Sequence, residues 1–214
     1  GTQYEVTRAG LGTTLGFDIW GSGRNTMLYV KPTTLRVTAN GYAIICRRSD
    51  VQRILFEFGT TYRERLEAYR ASRRFPSNGP VELRVTGVDD PADCGVSGAV
   101  EPVLSPTRRV PGRPDLDTVV WLDILTLPGT PTAMDFFTEI EQWILSRYSD
   151  GDTRVRVEWS KGWGYTPSGA WTSSQVIDGF VHGSLPGFDA AAALLRSYDP
   201  AGIYTSPLTR QLFG

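Results

Sequence analysis

What most constrains this chain is the order in which two hydrophobic periods succeed one another. Apolar residues recur with period two, then in steps of three and four, then twice with period two, then helically again, then with period two once more. In PVELRVTG, residues 80–87, Val81, Leu83 and Val85 alternate with Glu82, Arg84 and Thr86. A strand there has one core face and one charged face. The stretch 50–74 instead sets Val51, Ile54, Leu55, Phe58, Tyr62, Leu66 and Tyr69 along one helical stripe. Ser49-Asp50 offers N-cap chemistry before it, and Phe75-Pro76 with Asn78-Gly79-Pro80 stops it. TVVWLDILTLP, from Thr118, reads as a strand. A second helix over 131–149 has the stripe Met134, Phe137, Ile140, Glu141 and Ile144. TRVRVEWSKGW, from Thr153, is another alternating strand. The first strand comes from KPTTLRVTANGYAIICRR, whose Asn40-Gly41 pair carries a hairpin signal.

The order strand, helix, strand, strand, helix, strand predicts an α+β fold of the ferredoxin-like split βαβ kind. Such a unit is an antiparallel sheet in the spatial order fourth, first, third, second, with both helices on one face. Irregular segments are expected at both ends: a Gly/Thr-rich lead-in over 1–33, and a C-terminal segment over 187–214 with one short helix near 188–197. The body between, 34–186, contains a Pro/Asp/Gly/Arg-rich loop over 89–117 and an aromatic loop over 162–186. Loops of such length are usually functional or disordered.

If the helices cover one face, the other presents Glu82 and Arg84 from the second strand and Arg156 and Glu158 from the fourth. Asp123, two residues after Trp121, joins them from the third. The outer strands of that face stand roughly 14 Å apart. A polar sheet face is often simply solvated. Two features favour a site: WSKGWGYTPSGAW at 159–171 brings aromatics to its border, and Glu82 with Arg84 is an acid–base pair whose ionisation shifts when covered.

A net charge of −1 gives no general attraction for nucleic acid or an anionic membrane, and no run of 18 apolar residues exists. GTQYEVTRAG does not resemble a signal peptide and no initiator Met precedes it, so the chain reads as a processed or excised piece. Cys46 and Cys94 have no metal-like spacing; two thiols or one disulfide both fit. The single histidine, His182, sits in the loop-like GFVHGSLPGF, which argues against a zinc site or a Ser-His-Asp triad. No metal site is expected.

KPTTLRVTANGYAI, PVELRVTGVDDPAD, WLDILTLPGTP, FFTEIEQWI, RVEWSKGWGYT and SYDPAGIYTSPL resemble the substrate-binding region of bacterial flavin-dependent cholesterol oxidases. The resemblance is to the type with a vanillyl-alcohol-oxidase-like FAD domain and covalent flavin, and it covers about 28–214. It implies the C-terminal part of a larger enzyme that oxidises a sterol 3β-hydroxyl to a ketone, gives hydrogen peroxide from O2, and moves a 5-ene to a 4-ene. It implies FAD as cofactor, held by an upstream domain, with 187–214 packing on that domain. It further implies a secreted or cell-surface location. By motif, Glu82 and Arg84 fall in VELRV and Glu158 in VEWSK, as residues above the flavin ring. Asp123 stands where some members carry an amide. The resemblance assigns Arg84 to electrostatic stabilisation near the flavin, Glu82 as its partner and gate, and Glu158 to acid–base work. The absence of G-x-G-x-x-G and of a P-loop fits a pyrophosphate site elsewhere. The alternatives are a free-standing ferredoxin-like ligand-binding module and a flavin oxidase of another bulky alcohol.

Overall fold

The structure, a computed structural model, describes residues 36–149 and 151–214. The expected lead-in over 1–33 lies outside the described residues. β1 (Thr38–Cys46) passes through a 3-10 turn, Arg48–Asp50, into α1 (Val51–Ala71). β2 (Val81–Gly87), β3 (Thr118–Thr126), α2 (Ala133–Arg147) and β4 (Arg154–Val157) follow. A short helical turn, Ser174–Val176, then runs into a π-helix, Ile177–His182. α3 (Phe188–Tyr198) and α4 (Pro207–Phe213) come last. The strands lie in the order β2-β3-β1-β4, each neighbouring pair antiparallel. This is the split βαβ arrangement that the periodicity predicts.

Alternation decides what each face does. Tyr42, Ile44, Val120, Leu122, Ile124, Val155 and Val157 point to one side. There they form a single buried cluster with Ile54 and Phe58 of α1 and Phe136, Phe137, Ile140 and Ile144 of α2. Burying each such side chain contributes about 1.5–3 kcal/mol before ordering costs. Phe136 is gripped edge-on by Tyr62 and Tyr69, with ring centroids 5.6 and 5.4 Å away.

Glu141, a charged residue in the apolar stripe of α2, is fully buried. Its Oε2 accepts from the Tyr42 hydroxyl (2.9 Å), the Asn40 amide (3.3 Å) and Gly164 N (3.0 Å), and its Oε1 accepts from Ala170 N (2.8 Å). Burial pushes its carboxyl upward against the pull of these bonds. Glu141 therefore ties α2, β1 and the segment after β4 together.

The opposite face is divided. Towards one end the long loop lays Leu116, Val110 and Val88 over Ala43, Ile45 and Val119. Arg156 lies beneath this cover, not on an open face as the alternation alone implied. Its Nη1 donates to the carbonyls of Pro106 (3.1 Å) and Arg108, and its Nη2 to that of Ser184 (3.0 Å). Burial, and then the charge of Arg108, push its guanidinium down to about 10. The other end of the face stays open.

Other expectations are corrected by local physics. Asn40-Gly41 makes no hairpin; β1 runs straight through it. Asn40 is a buried amide on Glu141, and Gly41 lies opposite Asp123. A Cβ on Gly41 would overlap Asp123 Oδ1 and stand 2.8 Å from Lys161 Cγ, so the glycine provides close approach, not a turn. Leu83 and Val85 point to the helix side yet are 44% and 50% exposed, because β2 ends the described sheet and α1 packs on β3. Asp50 caps nothing with its side chain; a 3-10 turn precedes α1 and the carboxylate pairs with Arg53 at 3.1 Å. β4 is shorter than expected, since the chain turns at Glu158. His182 belongs to a π-helix, not a loop. The expected irregular end contains α4, started by a Ser206/Thr209 capping box. Cys46 is buried and Cys94 exposed, and both are free thiols.

Replacing Glu141 by Ala leaves Tyr42, Asn40, Gly164 and Ala170 without their buried acceptor. The expected loss is about 3–5 kcal/mol, seen as a lowered urea midpoint. A loss below about 1 kcal/mol contradicts the anchoring role.

Candidate active site on the open sheet face

Cross-strand register brings the site together. Glu82 pairs with Asp123, and Asp123 with Gly41. Glu158 N donates to Gly41 O at 3.2 Å, just past the end of β4. One row across the sheet thus reads Glu82, Asp123, Gly41, Glu158. The next row reads Arg84, Trp121, Ala43, Arg156. Three carboxylates therefore converge around the empty place left by the glycine, and an arginine from the neighbouring row reaches over them.

Arg84 Nη2 donates to Asp123 Oδ2 at 2.5 Å and to Glu158 Oε2 at 3.4 Å. Its guanidinium carbon lies 5.4 Å from the centroid of the Trp121 ring, whose Nε1 donates to Thr86 Oγ1 at 2.9 Å. The Arg84 side chain is 48% exposed while Asp123 beneath it is 0% exposed, so the cation is the outer partner of a buried anion. Burial alone would lower the Arg84 guanidinium; the bond to Asp123 and the charges of Asp123, Glu158 and Glu82 outweigh it and raise it. Burial pushes the Asp123 carboxyl upward, with Arg84 opposing. Asp123 Oδ1 is buried with no hydrogen-bond partner among the described residues.

The turn after β4 completes the geometry. Lys161 N donates to Glu158 O (2.9 Å) and Gly162 N to Ala39 O (2.7 Å), so the chain folds back over β1. Glu158 Oε1 accepts from Ser160 Oγ (2.6 Å) and Ser160 N (3.2 Å). Lys161 stretches over Gly41, and its Nζ stands 3.8 Å from Glu82 Oε2.

All four sequence-predicted site residues, Glu82, Arg84, Asp123 and Glu158, thus meet on one face. Lys161 and Gly41 were missed. Strict alternation sends Lys161 to the helix side with Trp159; only the turn reverses it. Its signal was the Ser160-Lys161-Gly162 punctuation inside an apparent strand. The flanking aromatics are anchors: Trp163 is buried edge-on to Tyr42 at 6.3 Å, and Trp159 Nε1 donates to Leu104 O at 2.6 Å. His182 is remote from this chemistry, with Nε2 2.9 Å from Leu212 O and its ring stacked on Phe188 at 4.3 Å. Among the described residues no group of three or more His, Cys, Asp or Glu is arranged to hold a metal ion.

The sequence profile described as "cholesterol oxidase, substrate-binding" matches residues 1–214. The chain belongs to this family. Among solved structures it is similar to a "solvent-stable cholesterol oxidase", with 49% identity and a TM-score of 0.78, over 99% of this chain and 41% of that one. It is likewise similar to the cholesterol oxidase of Brevibacterium sterolicum, with 36% identity and a TM-score of 0.78, over 100% of this chain and 40% of that one. The chain therefore spans about two fifths of the length of these relatives. A search of curated proteins finds no match.

In this member of the cholesterol oxidase substrate-binding family, Asp123 sets a pH dependence whose sign is fixed. Its carboxyl is raised in the folded state, so folding favours its protonated form. Its contribution to stability is complete below the unfolded value, about 3.9, and is lost as pH rises through the folded value. Relative to Asp123→Asn, the wild type is expected to lose stability as pH rises from about 4 towards neutrality. Urea midpoints of the two proteins over that range check this; a constant gap, or one of opposite slope, contradicts it.

Proposed function

We propose that this chain is the substrate-binding part of a flavin-dependent sterol oxidase, which converts a 3β-hydroxyl to a ketone, reduces O2 to hydrogen peroxide and isomerises a 5-ene to a 4-ene. The observation that carries the reading is the Arg84 guanidinium, held by buried Asp123 and by Glu158 on an otherwise open polar face. Family membership and the relatives' printed names support the substrate class.

The residues suit the chemistry. Removing hydride from a carbinol carbon needs the hydroxyl proton removed as well, and a fixed cation in a site closed to water stabilises the oxyanion that proton loss builds up. The hydroxyl proton and the proton moved between ring carbons both need carboxylates in reach. Arg84 serves as stabiliser, Glu82 as its partner and gate, and Glu158 as the acid–base group.

FAD, when bound, supplies the hydride acceptor. The fit of this face to a flavin ring rests on three features. Arg84 and Lys161 offer positive charge to an electron-rich ring edge. Trp121 gives a flat floor. The face is broad enough for a fused ring system. We assign the pyrophosphate to an upstream domain, a reading that fits a sequence with neither G-x-G-x-x-G nor a P-loop. Leu195, Tyr198 and Tyr204 line one apolar depression at the C-terminal end, with Tyr204 82% exposed. Patches of this kind mark contact surfaces, and we assign this one to that domain. A secreted or cell-surface location belongs to the same reading.

In the full-length enzyme, cholesterol added without oxygen is expected to bleach the flavin. Arg84→Ala is expected to slow that reduction by about 10²–10³-fold while changing sterol affinity far less. Bleaching by another bulky alcohol but not by cholesterol removes the sterol assignment. Small changes in both parameters remove Arg84 from the flavin.

A further inference from the structure

The open face holds three carboxylates, Glu82, Asp123 and Glu158, against two cations, Arg84 and Lys161. With every group ionised the cluster carries one excess negative charge. Once a cofactor and a sterol cover it, that excess is expensive. One additional proton makes it neutral.

The three acids are not equivalent hosts for that proton. Glu82 is 42% exposed and faces Lys161. Glu158 has both oxygens served, one by Ser160 and one by Arg84. Asp123 is wholly buried and, among the described residues, has a single hydrogen-bond partner, Arg84; its other oxygen sits over Gly41, under the Lys161 stem, with none there. As an anion Asp123 is held chiefly by Arg84, with the charge of Lys161 adding a weaker attraction. Arg84 already touches Glu158, so it can shift towards that carboxylate without leaving the site.

Resting on the sterol-oxidase reading, we propose that Asp123 takes the substrate's hydroxyl proton and holds it until peroxide forms, while Arg84 transfers its main contact from Asp123 to Glu158. The hydroxyl O–H bond breaks and an O–H bond forms on Asp123. The carbinol C–H bond breaks with its electron pair, which passes as hydride to the flavin, the oxidant, and the carbon–oxygen double bond closes. When dioxygen is reduced it receives the equivalent of that hydride together with the proton from Asp123, which gives hydrogen peroxide and restores the Asp123–Arg84 pair. Burial, which pushes the Asp123 carboxyl upward and favours its protonated form, agrees with this assignment, and Gly41 makes it possible by leaving room for the carboxyl.

The test is infrared difference spectroscopy on the full-length enzyme carrying carboxyl-13C aspartate, before and after anaerobic addition of cholesterol. Asp123→Asn is the control variant, since an amide preserves the shape. The expected result is a protonated-carboxyl stretch that appears on reduction, shifts with the aspartate label and is missing in Asp123→Asn. No such band, a band indifferent to the label, or a labelled band that persists in Asp123→Asn overturns the proposal. If cholesterol leaves the flavin oxidised, the substrate reading has failed, and a second arm decides for Asp123. In the substrate-free labelled enzyme, Arg84→Gln is expected to raise the pH at which that band appears by about one to three units. Equal midpoints in the two proteins overturn the dependence of Asp123 on Arg84.

Discussion

The corner of the open face that carries Glu158 and Lys161 is steadied by a carboxylate that is not on it. Glu141 is buried in the helix layer and accepts hydrogen bonds from β1 and from two backbone amides of the segment that follows β4. That anchor helps to fix where the chain travels after Val157. With it, the segment crosses back over β1, Gly162 closes on Ala39, and the intervening turn delivers Glu158 and Lys161 above Gly41. A buried carboxylate is a poor source of net stability. Its value here is geometric, because it determines which backbone lies over which strand.

The two sides of the sheet solve different problems. The helix side is an apolar layer, dense with interlocking rings, and gains its stability from removing surface from water. The other side is half closed and half open. Where the long loop covers it, Arg156 satisfies the loop's Pro106 and Arg108 carbonyls and the carbonyl of Ser184. Where it is open, charges of both signs stand within reach of one another. The loop is thus neither a disordered link nor the site itself; it walls the site on one side and keeps that half of the sheet dry.

Much of this was legible in the sequence because period two and period 3.6 are hard to confuse over long runs. Strand order, the common helix face and the convergence of Glu82, Arg84, Asp123 and Glu158 all follow from alternation in three strands. The failures share a cause: each lies where a non-local contact outweighs a local preference. Asn40-Gly41 has turn chemistry, but a buried Glu141 and an opposing Asp123 hold it extended. Leu83 and Val85 have a core-like pattern, but they lie beyond the helix layer, which no local pattern reports. Lys161 sits on the wrong side of an ideal pleat and reaches the site only because the strand stops early. Asp123 shows the reverse case: its position was readable, but its burial and its dependence on one arginine were not.

The four residues from Glu158 to Lys161 carry one further implication. An acid and a base of the same site are separated by a single turn of backbone that is pinned at each end to β1, through Gly41 and Ala39. Neither charge can wander independently of the other, and lengthening or shortening this segment by one residue would displace both together. Variation in this corner of the protein should therefore proceed by exchanging side chains at constant length, while insertions accumulate in the outer wall.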